Sequence, residues 1–158
     1  MIIPNPSRRH GADQYETTMT NTDQIEAEVI YAFRGLVGAA EALDASAYFD
    51  CIDQEKFSGL SADGKAWHSF SDLETVITNG FDMVQKITFL EFSNLKVTVI
   101  NPLTAILVNE YQQTILLKNG GTVQQSGGGV QVWSKSDDGW KLVSIGASDA
   151  SQRAKAVF

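Results

Sequence analysis

The chain has 158 residues, one cysteine and a formal net charge of −7 at pH 7. This acidic balance excludes the basic face that phosphate backbones require, so we expect no nucleic-acid partner. Apolar residues make up 43% and charged residues 20% of the chain, which indicates one globular domain stabilised by its core without internal disulfides.

The N-terminal stretch predicts neither a membrane anchor nor a secretory signal. No apolar run is long enough to span a membrane, and residues 1–10 lack a hydrophobic signal segment. We therefore expect a cytoplasmic protein without a membrane partner. Residues 1–20 hold two of the three prolines and few apolar side chains, which predicts a flexible arm, with Met19 as an alternative start. The domain is expected over residues 21–150, with a tail at 151–158.

Helical signals come first in the predicted domain. From Asn21 to Leu43, apolar residues recur at three- and four-residue steps, which predicts an amphipathic helix. A second, short helix is predicted from Ala45 to Ile52. Lys56 to Leu60 then predicts a short strand, which the turn residues 61–64 end.

A third helix is predicted where Ser71 and Glu74 have the spacing of a capping box, with Gly80 near its end. Four apolar runs follow between residues 86 and 148, separated by turn sequences at 101–102, 119–121 and 137–139. This pattern predicts an antiparallel meander of long strands, including Ile87–Ile100 and Thr104–Leu117. Three successive glycines at 127–129 predict a bend or bulge in the third of them.

Three parts of the sequence carry a family resemblance: the segment from Leu43 to Phe49, the turn at 62–64 and the terminal pattern at 127–133 and 138–143. They resemble the nuclear transport factor 2-like superfamily, in its SnoaL-like, ketosteroid-isomerase-like branch. The resemblance covers about residues 22–149. It implies an α+β cone of order α-α-β-α-β-β-β-β, an internal pocket and a homodimer formed through the sheet. Members include isomerases, dehydratases, polyketide cyclases and non-catalytic modules, so the fold does not define the function.

The catalytic groups that the resemblance implies are missing from this chain. The isomerase base falls near Gly59–Ser61, the helix tyrosine near Leu36 and the oxyanion-hole acid near Gly128 or Gly129. The dehydratase histidines fall on Ser144 and Gly146. Neither proton-transfer mechanism therefore carries over from the family.

Two classes of function remain open: a small-molecule-binding domain, or an isomerase, dehydratase or cyclase with an atypical polar set. A dimerisation module without a pocket is a third alternative. We expect no metal and no cofactor, since two histidines and one cysteine make a poor ligand set. The candidates for catalysis are Tyr48, Asp53, His68, Glu91 and Glu110.

Ligand binding is the favoured interpretation, because amides and aromatic residues interrupt the apolar strands. Strict alternation places Asn109 and Tyr111 on one face of their strand and Gln131 and Trp133 on one face of the next. The pattern alone leaves open whether these faces line the pocket or form the dimer surface. The candidate ligand-binding residues are Phe33, Val37, Trp67, Asn109, Tyr111, Gln113, Gln131, Trp133 and Ser144.

Overall fold

The computed structural model describes residues 10–150, with side chains from Asn21 onward. The tail expected at 151–158 and the first nine residues of the expected arm lie outside this range. The helices are α1 (His10–Glu41), α2 (Ala45–Asp50) and α3 (Phe70–Met83). The strands are β1 (Ser58–Leu60), β2 (Ala66–Trp67), β3 (Val84–Asn101), β4 (Thr104–Leu117), β5 (Thr122–Ser136) and β6 (Gly139–Ala147).

The six strands form one curved, open sheet in the order β2-β1-β6-β5-β4-β3. Strands β3 to β6 make the predicted antiparallel meander, which confirms the α+β fold. The edge differs from the prediction in two respects. Strand β1 joins β6 in parallel, and the short β2, which has no apolar periodicity, pairs with β1 as a hairpin.

Two helix starts differ from the sequence prediction. Helix α1 begins at His10, although residues 10–20 have no apolar stripe that would predict a helix. Helix α3 is capped by Ser69 instead of Ser71. The Ser69 hydroxyl accepts the helix-end N–H of Asp72, and the Asp72 carboxylate accepts the N–H of His68 just before the cap. The same helix continues past Gly80 to Met83.

The core lies between α1 and the sheet. The predicted apolar stripe of α1 supplies Ile25, Val29, Phe33 and Leu36, all of them buried. The ring of Phe33 meets that of Phe92 on β3 edge to face, at 5.1 Å between centroids. We call the side of the sheet on which α1 packs the inner face, and the opposite side the outer face. From the sheet and the adjoining segments, the core receives Phe57, Ala105, Leu107, Trp133, Trp140 and Leu142.

The sequence predicted a bend or a bulge at Gly127–Gly129, and the structure has no bulge at these residues. The β4–β5 register runs without interruption from Thr104 opposite Ser134 to Leu116 opposite Thr122. The irregularities lie mainly in β3, where Asn94 adopts a positive φ of 50° between Ser93 and Lys96. A bulge of this kind bends a strand and redirects its side chains.

Candidate functional site

A row of polar side chains crosses the inner face on β4 and β5. Phe92 packs against α1 and pairs with Tyr111, so Tyr111 and Asn109 belong to the inner face. Across β5, Gly127 and Gly129 stand opposite these two residues. Alternation along β5 then places Gln131 and Trp133 on the same face. The two predicted faces therefore line the space beneath the helices.

Two of these side chains are amides enclosed almost completely by the protein. Asn109 is 8% exposed and Gln131 is 4% exposed. The Gln131 Oε1 accepts the indole N–H of Trp133 at 2.9 Å, and the Asn109 Nδ2 donates to the backbone oxygen of Glu110 at 3.4 Å. Buried amides are retained in a core only where hydrogen bonds offset their lost hydration.

Tyr111 connects this row to the end of the last strand. Its hydroxyl donates to the backbone oxygen of Ser148 at 3.0 Å, and the Ser148 N–H donates to the oxygen of Gly128. Burial, with a smaller contribution from the Asp149 carboxylate, raises the pKa of Tyr111. The phenol is therefore neutral at physiological pH and acts as a hydrogen-bonding group.

A groove of about 490 Å³ adjoins the row between α1 and β3. Phe33 and Val37, two of the predicted ligand-binding residues, line it together with Phe92 and Leu95. Phe92 is the link to the polar row, because it pairs with Tyr111. Leu95 belongs to the β3 bulge. The groove also contacts Arg34, Gly38 and Glu41 of α1.

The remaining predicted ligand-binding residues lie elsewhere. Gln113 donates to the Oε1 of Gln125 at 2.7 Å and lines a separate depression of about 420 Å³ beside Phe89. Trp67 lies in β2 at the sheet edge and packs against Phe57, with ring centroids 6.5 Å apart. Ser144 pairs with Val132, whose neighbours in β5 face inward, so Ser144 belongs to the outer face.

The structure does not bring the catalytic candidates together. Tyr48 is buried among aromatic rings, where desolvation and the nearby Cys51 raise its pKa to about 12. The Asp53 carboxylate accepts the N–H groups of Glu55 and Lys56 and so closes a turn. His68 is exposed before α3.

The two remaining carboxylate candidates lie on the outer face. Glu91 pairs with Gln112, one position from the inward-facing Phe92, and it is exposed. Glu110 is exposed as well and hydrogen-bonds to the side-chain amide of Asn94. Neither carboxylate contributes to the polar row on the inner face, so proton transfer there has no titrating partner among the candidates.

A further groove, of about 630 Å³, lies where α1 and α2 meet the β5–β6 hairpin. It exposes Tyr31 and part of Trp140 and Cys51. Glu28 anchors this junction, since its carboxylate accepts the Trp140 indole N–H at 2.8 Å and pairs with Lys135 at 3.3 Å. The indole hydrogen bond is the main cause of a lowered Glu28 pKa, which burial partly opposes.

Of the residues that line the groove beside the polar row, sequence reasoning missed Phe92 and Leu95 on β3 and Arg34, Gly38 and Glu41 on α1. The polar pair Ser93–Asn94, which interrupts the apolar alternation of β3, is the signal that marks the bulge. Within residues 21–150, no group of three or more histidine, cysteine, aspartate or glutamate side chains has the geometry of a metal site. No helix in the described part of the chain is long and apolar enough to cross a membrane.

Solved structures with the same fold include a nuclear transport factor 2-like superfamily protein from Salmonella enterica. It is 19% identical with a TM-score of 0.72, and the match covers 81% of this chain and 92% of that one. The association domain of CaMKII from C. elegans is 18% identical with a TM-score of 0.66, covering 82% and 98%.

A ketosteroid isomerase-like protein from Erwinia carotovora is 17% identical with a TM-score of 0.67, covering 78% of this chain and 94% of its own. At these identities the likeness shows the fold alone. No curated protein matches the sequence. The model of the SnoaL-like domain matches residues 29–151, which is most of the chain. The protein therefore belongs to the SnoaL-like domain family.

Proposed function

We propose that this protein binds a small, partly apolar molecule on the inner face of its sheet. The observation that carries this proposal is the pair of amides, Asn109 and Gln131, enclosed between apolar core residues and next to glycine positions. A core that needed only stability would be served at least as well by apolar side chains at these two positions. Amides there favour recognition of a polar group on a ligand.

The neighbouring groove supports the same proposal. Its volume of about 490 Å³ suits a small organic molecule, and Phe33, Val37 and Phe92 provide an apolar wall. Binding is favoured over catalysis because none of the candidate acids and bases belongs to the polar row: Tyr48 is buried among aromatic rings, and the others lie on the outer face, in a turn or in solvent. A general acid or base must reach the reacting atom to act on it.

Native mass spectrometry of the purified protein tests the proposal. We expect a co-purifying molecule of low mass that is retained by the Asn79→Leu control and lost from the Asn109→Leu variant. Asn79 is exposed on α3, so the control makes the same chemical change away from the inner face. A bound molecule that persists in Asn109→Leu, or its absence from correctly folded wild-type protein, contradicts binding at this site.

We also propose that two copies associate through the outer face of the sheet. This face exposes Val108 and Val130, which pair with each other across β4 and β5 and are 40% and 44% exposed. Neighbouring exposed apolar side chains on one face of a sheet favour a protein interface. The shared fold with an association domain supports this second role.

Sedimentation velocity tests the dimer. We expect the wild-type protein to sediment at twice the chain mass of 17.2 kDa and the Val130→Lys variant to sediment as a monomer, because a lysine in the buried contact loses hydration without a partner. Val76→Lys makes the same change at an exposed position of α3 and is expected to remain dimeric. A dimeric Val130→Lys protein would show that the dimer does not form through this part of the outer face.

A further inference from the structure

The hydrogen-bond partners of the two buried amides fix the orientation of each. An indole N–H only donates, so its contact at 2.9 Å identifies the oxygen end of Gln131, and the Nε2 donor points away from Trp133. A backbone oxygen only accepts, so the contact with Glu110 at 3.4 Å identifies the Asn109 nitrogen. The Asn109 Oδ1 acceptor therefore points away from the backbone oxygen of Glu110.

The strand register brings this donor and this acceptor to one patch. Asn109 pairs with Gly129, which is two residues from Gln131 on β5 and on the same face. Diagonal neighbours in a sheet lie about 7–8 Å apart, within reach of one ligand group for side chains of this length. A Cβ at residue 129 would lie 3.3 Å from the Asn109 Oδ1, so glycine at this position keeps the acceptor accessible.

Charged side chains are absent from the inner-face positions of β4 and β5 between residues 105 and 133. On β4 these positions are Ala105, Leu107, Asn109, Tyr111 and Gln113, and on β5 they are Gln125, Gly127, Gly129, Gln131 and Trp133. Tyr111 is neutral at physiological pH. An ion bound against these strand positions would lose its hydration and gain no opposite charge from them. Charged groups that border the site include Arg34 and Glu41 of the adjoining groove and Asp149 beside Tyr111.

We infer that the ligand of this site presents an uncharged amide edge, as in a carboxamide, lactam or imide, to Asn109 and Gln131. Its carbonyl accepts from Gln131 Nε2 and its N–H donates to Asn109 Oδ1, while its apolar part packs in the adjoining groove. The inference rests on the proposed function and specifies the ligand class of the same site.

Four probes that share one ring test the ligand class: benzamide, benzoate, benzylammonium and acetophenone, which accepts but does not donate. Each is titrated into the full-length ¹⁵N-labelled protein while the indole N–H resonance of Trp133, assigned with Trp133→Phe, is followed. We expect benzamide to bind about tenfold more tightly than each of the other three, since one matched hydrogen bond has about this value.

The variant Gln131→Glu provides a second readout. Its carboxylate still accepts the Trp133 N–H, but it replaces the amide donor with a negative charge. We expect benzamide binding to weaken about tenfold, by the loss of one hydrogen bond, and benzylammonium binding to strengthen. Asn79→Leu is the control and is expected to bind all four probes as the wild type does.

Three outcomes would each overturn the inference. They are equal affinity of the wild type for benzamide and acetophenone, a higher affinity of the wild type for benzoate or benzylammonium than for benzamide, and an unchanged affinity of Gln131→Glu for benzamide. The proposed function would survive these outcomes, because a molecule would still occupy the inner face. A Trp133 resonance that none of the four probes shifts overturns the inference as well. The proposed function fails with it only if native mass spectrometry also finds no bound molecule.

Discussion

Replacement of Trp133 by alanine is expected to lower the free energy of unfolding by about 3–5 kcal/mol. Trp133 is fully buried where the inner face of the sheet meets α1, and its removal leaves a cavity that the surrounding core cannot fill. Its indole N–H is also the donor to Gln131, so the variant leaves the buried Oε1 without this partner. Urea denaturation at neutral pH measures the change as a shift of the midpoint at constant slope.

Two variants separate the contributions at this position. Trp133→Phe keeps an aromatic ring and removes the N–H. We therefore expect its free energy of unfolding to lie between those of the wild type and Trp133→Ala. Tyr31→Ala removes an aromatic side chain that is 81% exposed and is expected to change stability by no more than about 0.5 kcal/mol. A Trp133→Ala protein as stable as Tyr31→Ala would show that the core does not depend on this indole.

Replacement of Gly127 by alanine is expected to destabilise the protein by about 1–3 kcal/mol. A Cβ at this position would lie 1.9 Å from the backbone oxygen of Ser148, so the strand end must move away. The Tyr111 hydroxyl would then lose its acceptor, because it donates to the same oxygen. Thermal or urea unfolding measures the loss of stability.

Gly128 provides the matched control, one residue along the strand. There the nearest atom to a built Cβ, the oxygen of Asn109, is 3.4 Å away, an ordinary contact. We expect Gly128→Ala to be nearly neutral. If the two variants were equally stable, close approach of Ser148 would not be the reason for glycine at position 127.

Local sequence patterns predicted much of the fold because the long strands have strong local signals. The alternation of β4 and the turn residues on both sides of it gave its bounds, Thr104 to Leu117, as the structure has them. The two-residue β2 and the parallel contact of β1 with β6 depend on distant segments. No periodicity in either stretch indicates such a pairing.

The candidate site was predictable only as a set of alternating positions. Alternation grouped Asn109 with Tyr111, but which side of the sheet they face depends on where α1 packs, and this is a tertiary contact. The groove depends on a β-bulge that turns Leu95, a feature with a weak local signature. The acids and bases were chosen by residue type, and type alone does not indicate which face a side chain occupies.

The parallel pairing of β1 with β6 has a consequence for synthesis on the ribosome. Ser58 pairs with Ser144, a separation of 86 residues (144 − 58), and Ile52 forms a bridge with Leu142. The early segment thus emerges well before its partner has been translated. Long-range closures of this kind slow folding and leave strand edges open to other chains. The emergence of β6 from the exit tunnel is therefore the step that lets β1 pair with it and shields this early segment from aggregation.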